Sequence, residues 1–379
     1  MSVIRRFGAP LAVALTVGLT FGLVASACAG HPSRYSRKVA QQSLTRLEAP
    51  GLTIGEFRLT KVVDGDTIRV DGLDSSLRLL GIDTEETFKT EGDRRLFEAG
   101  WEAYKVAKRH GGLRPGKYAT PLGEDGKHYA QHFFDGVDKV RLERDDPAEI
   151  RDRYNRYLAY VLVQKNGVWV NYNVQCVRDG MAPYFPKYGQ SRRYHAEFVA
   201  AEAEAKAAHK GIWAPGVMAY PDYPEREEWW GARGEFVAKF RADAEGKDNY
   251  IDITHWDAPK RLEELVGKPV VVLGVVGDVI LGEKGPSRVT LSRRTFEDFP
   301  LVFFDRDLLG STGLAEWKGE FITVSGTPSI YENKHTHKKQ VQIAVDNASQ
   351  IVLSPVPKLT VPSLPASAPP PPATPASKP

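Results

Sequence analysis

The sequence predicts a mainly β fold with added helices (α+β), arranged as two successive domains. Three observations lead there. Short segments rich in Val, Ile, Leu and Thr, separated by Gly and Asp turns, recur both before and after residue 216. Two helical stretches, 171–180 and 192–209, close the first half. The chain has 379 residues, and at roughly 100–200 residues per domain that gives two domains plus tails.

The composition is that of a globular protein, with 42% hydrophobic and 26% charged residues, which excludes a wholly disordered chain. The formal net charge of +3 neither demands nor excludes a nucleic-acid partner, because a phosphate site can be local. The two cysteines, Cys28 and Cys176, lack the spacing of a zinc or iron–sulfur site. Cys28 follows Arg5-Arg6, an apolar run from Leu11 to Val24, and Ala25-Ser26-Ala27. That layout predicts an export signal over 1–28. The small residues before Cys28 resemble a bacterial lipoprotein box, so the expectation is a lipid on Cys28 and membrane attachment. The alternatives are plain secretion after cleavage at an Ala-x-Ala-like site and an uncleaved anchor. Cys176, among apolar neighbours, is expected to be a buried, inert thiol.

Residues 29–52 are polar and basic and read as a tether. The first domain, 53–215, carries predicted strands at 56–63, 67–70, 77–82, 137–142 and 158–163. Leu96, Trp101, Tyr104 and Ala107 mark a helical face, and 111–136 reads as a long loop. Residues 216–234, rich in Pro and Tyr at their start, read as a linker. Trp229-Trp230 is expected to pack there against a barrel. In the second domain, 235–353, five short strands with glycine turns (270–276, 288–291, 301–304, 320–327 and 340–343) suit a small OB-like barrel. Residues 354–379 are dominated by Pro, Ala and Ser and are expected to be a disordered tail.

Three segments carry chemistry. In Val62-Val63-Asp64-Gly65-Asp66-Thr67-Ile68, two aspartates flank a turn between strands; alone, this is an ordinary hairpin. In Leu77-Arg78-Leu79-Leu80-Gly81-Ile82-Asp83-Thr84-Glu85-Glu86, Arg78 stands inside an apolar strand, where a charge needs a partner. The acidic cluster Asp83, Glu85 and Glu86 follows at once. Aspartates and a backbone carbonyl are hard-oxygen ligands suited to Ca²⁺, and a nearby carboxylate can orient a water. In Asp152-Arg153-Tyr154-Asn155-Arg156, the second arginine opens a strand. Two arginine forks can clamp the charge that gathers on a phosphodiester under attack.

The segments VVDGDTI, RLLGIDTEET and DRYNRYLAYV, in that order, resemble the three sequence blocks of the staphylococcal nuclease (thermonuclease-like) family, over roughly residues 55–215. That resemblance implies an OB-type barrel with three helices that hydrolyses DNA and RNA to 3′-phosphate ends with Ca²⁺. It implies Asp66, Asp83 and the Thr84 carbonyl as metal ligands, with Asp64 just behind them. Glu86 is implied as general base, Arg78 and Arg156 as stabilisers of the transition state, and Tyr154 and Tyr188 as contacts to the terminal nucleotide. Two departures stand out. Glu85 replaces the family's usual proline, adding charge beside Glu86. Asn155 replaces a glycine, a mild change because Asn tolerates a left-handed backbone.

The loop residues Lys117, Lys127, His128 and His132 are read as a solvated insertion, with substrate contact as the alternative. The basic turn around His335 and His337 is read as solvated, and Phe303 as barrel core. Tyr331 and Phe304 leave open an accessory single-strand contact. The competing functional reading is an inactive module that binds nucleic acid or protein; retention of both arginines and all the principal carboxylates argues for the enzyme.

Overall fold

A computed structural model describes residues 51–108, 114–292 and 298–357. The expectations for 1–50 and 358–379, the signal and Cys28 among them, lie outside the described residues. The first barrel uses β1 (Thr53–Asp64), β2 (Thr67–Val70), β3 (Leu77–Leu79), β4 (Lys139–Glu143) and β5 (Tyr157–Lys165). β1, β2 and β3 form an antiparallel meander. β3 then runs parallel to β5, with Arg78 opposite Leu158, and β5 pairs antiparallel with β4 and β4 with β1. The sheet thereby closes on itself. Alternation fixes the faces: Leu77 and Leu79 point into the core, so Arg78 between them points out of it. A sixth strand, β6 (Val168–Asn171), extends β5.

The expected loop at 111–136 contains a helix. Counting α1 (Glu91–Glu98) and α2 (Trp101–Lys108), it is α3 (Pro121–Phe133). Thr120 caps its first turn by accepting from the Gly123 N–H, and Pro121 fills a position that has no hydrogen-bond duty. Gly123 and Gly126 hide the helix from a propensity reading, yet the fold requires a glycine at 123. A Cβ on Gly123 would come within 2.1 Å of the Glu86 carbonyl oxygen. α4 (Tyr172–Arg178) and α5 (His195–Ala207) complete the expected three helices on the barrel. They place Val174, Cys176, Val177, Phe198 and Ala201 in its core. Cys176 is fully buried, and burial pushes its thiol far above the ordinary range.

The expected linker is mostly helix as well: α6 spans Tyr223–Asp243 and therefore takes in residues 235–243 of the expected second domain. Its buried face repeats at three- and four-residue steps, but Arg226 and Arg233 stand among the aromatics on it. Those two arginines disguise the apolar periodicity. Trp229 and Trp230 are buried, as anticipated.

The second barrel is built from β8 (Val270–Ile280), β9 (Ser287–Ser292), β10 (Phe299–Phe303), β11 (Phe321–Gly326), β12 (Pro328–Glu332) and β13 (Lys339–Ala344). β8, β9 and β10 form a meander, and β10 runs parallel to β13. β13 pairs antiparallel with β12, and β11 with β8. Thr327 alone separates β11 from β12, so the two act as one bent strand that closes the circuit. This is the connectivity of the first barrel repeated, and both are OB-type. β7 (Tyr250–Asp252) and β14 (Ile351–Leu353) are additions at β8 and β11. Phe303 lies in the core, whereas Phe304 and Tyr331 are exposed.

Candidate active site

The turn between β1 and β2, the end of β3 and the strand-like segment after it meet at one rim of the first barrel. Arg78 donates from Nη1 to Asp66 Oδ2 at 2.9 Å and from Nη2 to Asp83 Oδ1 at 2.5 Å. One guanidinium therefore joins two carboxylates that are 17 residues apart in sequence, the partnering that its place in an apolar strand required. Asp66 also accepts from Thr67 Oγ1 and from the Thr84 N–H. Burial alone would raise the Asp66 pKa. Arg78 and Lys117 outweigh it and hold the carboxyl below the usual range. Arg78 is likewise desolvated but kept firmly protonated by Asp66 and Asp83. Asp64 is pushed up to about 6, first by burial and then by the Asp66 charge. Thr84 is buried beside Gly65 and Gly126, and its methyl group leaves no room for a Cβ at Gly65.

The other expected residues stand at greater remove. Glu86 is partly exposed and pairs with Lys89 at 2.6 Å, not with the aspartates. Its backbone is anchored by the Thr120 N–H, which donates to the Glu86 carbonyl at 3.0 Å. Arg156 is held from behind: Nε and Nη2 donate to Asp152 Oδ2, and the Arg156 N–H donates to Asp152 Oδ1. Its charge still reaches Asp66. Asn155 has φ +68°, so the residue in place of the glycine takes the left-handed backbone expected of it. Tyr154 is 74% exposed and lies under the Arg156 guanidinium; Tyr188 is 59% exposed and packs edge-on against Phe185.

Glu85 overturns the expectation placed on it. Instead of adding charge beside Glu86, it turns away and is 2% exposed. Its carboxylate accepts from Thr120 Oγ1, the Tyr220 N–H and the Tyr223 hydroxyl. The residue in the proline position thus ties the start of α6 to the rim. Lys117 also departs from the solvated-insertion reading: its ammonium sits on Asp83 at 2.5 Å and over the Phe185 ring. Lys117, Lys89 and Asp152 were missing from the sequence-derived site. Only Asp152 carried a signal, standing four residues before an arginine that needs bracing.

Among the described residues, no three His, Cys, Asp or Glu side chains converge as a ready-made ligand set. The donor chemistry nonetheless fits a hard divalent cation. Asp66 and Asp83 present only carboxylate oxygens, and two protein cations already crowd them. Asp64 adds a third carboxyl close enough for the Asp66 charge to act on it.

Fold and site together define an OB-barrel protein with an acid–arginine cluster on the barrel rim. Comparison with known proteins gives the family. The family model described as staphylococcal nuclease homologue matches residues 76–215. That interval includes Arg78, Asp83, Glu86 and Arg156; Asp64 and Asp66 lie just upstream of it. An uncharacterized protein of Methanocaldococcus jannaschii is 30% identical over 158 residues, which is 41% of this chain and 70% of that one. A thermonuclease of Staphylococcus hyicus is 29% identical, covering 42% and 75%. A prophage-derived endonuclease of Bacillus subtilis is 30% identical, covering 42% and 44%. The chain belongs to the staphylococcal nuclease family.

Proposed function

We propose that this nuclease hydrolyses the phosphodiester backbone of DNA and RNA at the Arg78 rim, with Ca²⁺, leaving 3′-phosphate ends. The observation that carries the reading is the bridging of Asp66 and Asp83 by Arg78, within electrostatic reach of Arg156 and with Asp83 three residues before Glu86 in the chain. In this reading Asp66, Asp83 and the Thr84 carbonyl hold the ion, with Asp64 behind them. When bound, the ion supplies charge neutralisation and a fixed seat for the phosphodiester.

The chain's own groups do the rest. Glu86 accepts a proton from the attacking water; its carboxylate is open to solvent, and Lys89 is an exposed partner that can yield. Arg78 and Arg156 donate to the phosphoryl oxygens as negative charge collects on them, the bond from phosphorus to the 5′ oxygen breaks, and Arg156 donates to that oxygen as it leaves. Asp152 already fixes Nε and Nη2 of Arg156, so little orientation remains to be lost. Tyr154 and Tyr188 offer exposed rings to the terminal nucleotide. The amino-terminal sequence supports export with a lipid on Cys28, which mass spectrometry of the mature N-terminus reads directly; an unacylated start removes that part.

The test is hydrolysis of single-stranded DNA with Ca²⁺ or with excess chelator, for the wild type and for Glu86→Gln. We expect calcium-dependent cleavage that falls by roughly 10²–10⁴ in the variant, as loss of a general base does. Cleavage indifferent to the chelator, or unchanged in Glu86→Gln, sinks the mechanism.

A further inference from the structure

Lys187 lies between the rim just described and the second barrel, on the segment joining Phe185 to Tyr188. Its position is tightly set. Its carbonyl accepts from Arg233 Nε at 3.0 Å, and Gly234 of α6 presses against Pro186 so closely that a Cβ there would come to 3.1 Å. Its ammonium faces the Trp229 ring at 4.3 Å from the centroid. The carboxylate of Glu320, which could have served it, is engaged elsewhere. Glu320 accepts from Arg233, from Arg114 Nε at 2.7 Å, and from the Trp229 indole at 3.0 and 3.1 Å. Asp83, on the other side, is held by Arg78 and Lys117.

Among the described residues, no carboxylate stands within ion-pair distance of Lys187. The charged groups around it are Arg233 and Lys117, which repel it, and Asp83 and Glu320, which are already committed; the Tyr188 ring stands beside it. Burial, then Arg233, pulls its pKa down to about 8. A half-buried ammonium without a counter-ion is costly, and a methionine would fill the same space at lower cost. The segment between the rim and the second barrel thus holds a cation that lacks an anion, next to the exposed Tyr188 ring.

We propose that Lys187 binds a backbone phosphate of the nucleic-acid strand adjacent to the one being cleaved, so that the strand passes from the rim toward the second barrel. The proposal rests on the nuclease reading above. It gives the second barrel a role in substrate handling, because Glu320 holds Arg233, whose Nε fixes the backbone of Lys187.

The test uses the full chain in a Glu86→Gln background, so that a labelled oligothymidylate stays intact with Ca²⁺ present. Binding is followed by fluorescence anisotropy across a salt series for Lys187, Lys187→Met and Lys187→Arg. We expect Lys187→Met to bind roughly tenfold more weakly near physiological salt. The slope of log affinity against log salt should become shallower by about 0.7, one phosphate contact on a single strand. Lys187→Arg should keep the slope. A single neutral methylphosphonate linkage should weaken wild-type binding at one position beside the scissile bond and cost nothing further in Lys187→Met. The melting temperature of Lys187→Met should equal or exceed that of its parent, since an unpaired charge has been removed. An unchanged slope and affinity in Lys187→Met overturns the proposal. So does weaker binding accompanied by a lower melting temperature and an unchanged slope, the signature of a structural role. If the otherwise wild-type chain neither cleaves nor binds the strand, the nuclease reading itself falls and takes this inference with it.

Discussion

Arg78 is where sequence and structure agree most closely. A guanidinium in the run Leu77-Arg78-Leu79-Leu80 needed a partner, and the structure gives it two, Asp66 and Asp83. Glu85 shows the opposite case. In the sequence it is one more acid in an acidic cluster, and nothing nearby says that its three hydrogen-bond donors come from residues 120, 220 and 223. Replacing it with alanine should leave those donors buried and unsatisfied. We expect Glu85→Ala to cost about 3 kcal/mol of stability in urea unfolding. A loss under about 0.5 kcal/mol, the range of ordinary surface changes, would show that the anchor is dispensable. Lys117 and Lys187 were illegible for a related reason: each reaches the rim from a segment whose spacing carries no period.

At the scale of elements, strands were read well and helices less so. The five strands of each barrel alternate or run apolar, and the observed ones overlap every predicted span. α3 was taken for loop because glycines at 123 and 126 lower helix propensity, although tertiary packing demands the one at 123. α6 was taken for linker because the segment opens rich in Pro and Tyr, and buried arginines break the apolar stripe that follows. The turn that presents Arg156 was legible down to its backbone. Asp152 accepts from the N–H groups of Tyr154 and Arg156, and its carbonyl accepts from the Asn155 N–H at 3.0 Å. Asn155 closes the turn at positive φ. A β-branched residue resists that conformation, so Asn155→Val should cost about 1–2 kcal/mol. It should also slow cleavage by displacing Arg156, whereas Asn155→Gly should keep activity. Wild-type rates in Asn155→Val would mean that the turn does not aim the arginine.

Across the whole molecule, two barrels of one connectivity are joined by a seam of charge. On one side of it, Glu149 is paired loosely with Arg241 at 3.8 Å, with Asp146, Asp252 and His255 nearby. Burial first, then the two aspartates, lifts Glu149 from 4.5 to about 7 against the pull of Arg241 and His255. The folded-state pKa is the higher one. Its stabilising contribution is therefore full below about pH 4.5 and is lost as pH rises through about 7. Glu149→Gln should then be more stable than the wild type by about 1–3 kcal/mol at alkaline pH and no different in acid. Thermal melts across pH decide it; a difference that is flat with pH would place the titration elsewhere.

Glu85, finally, bears on what counts as the smallest working piece of this protein. The stretch matched by the family model stops at 215, but two of the three donors that hold Glu85 come from residues 220 and 223. Phe185, the ring beneath Arg78 and Lys117, is sealed by Trp230 of α6. A chain cut at the family boundary would open both to water. The acid–arginine rim thus leans on residues beyond the matched stretch, and α6 forms part of the floor beneath it.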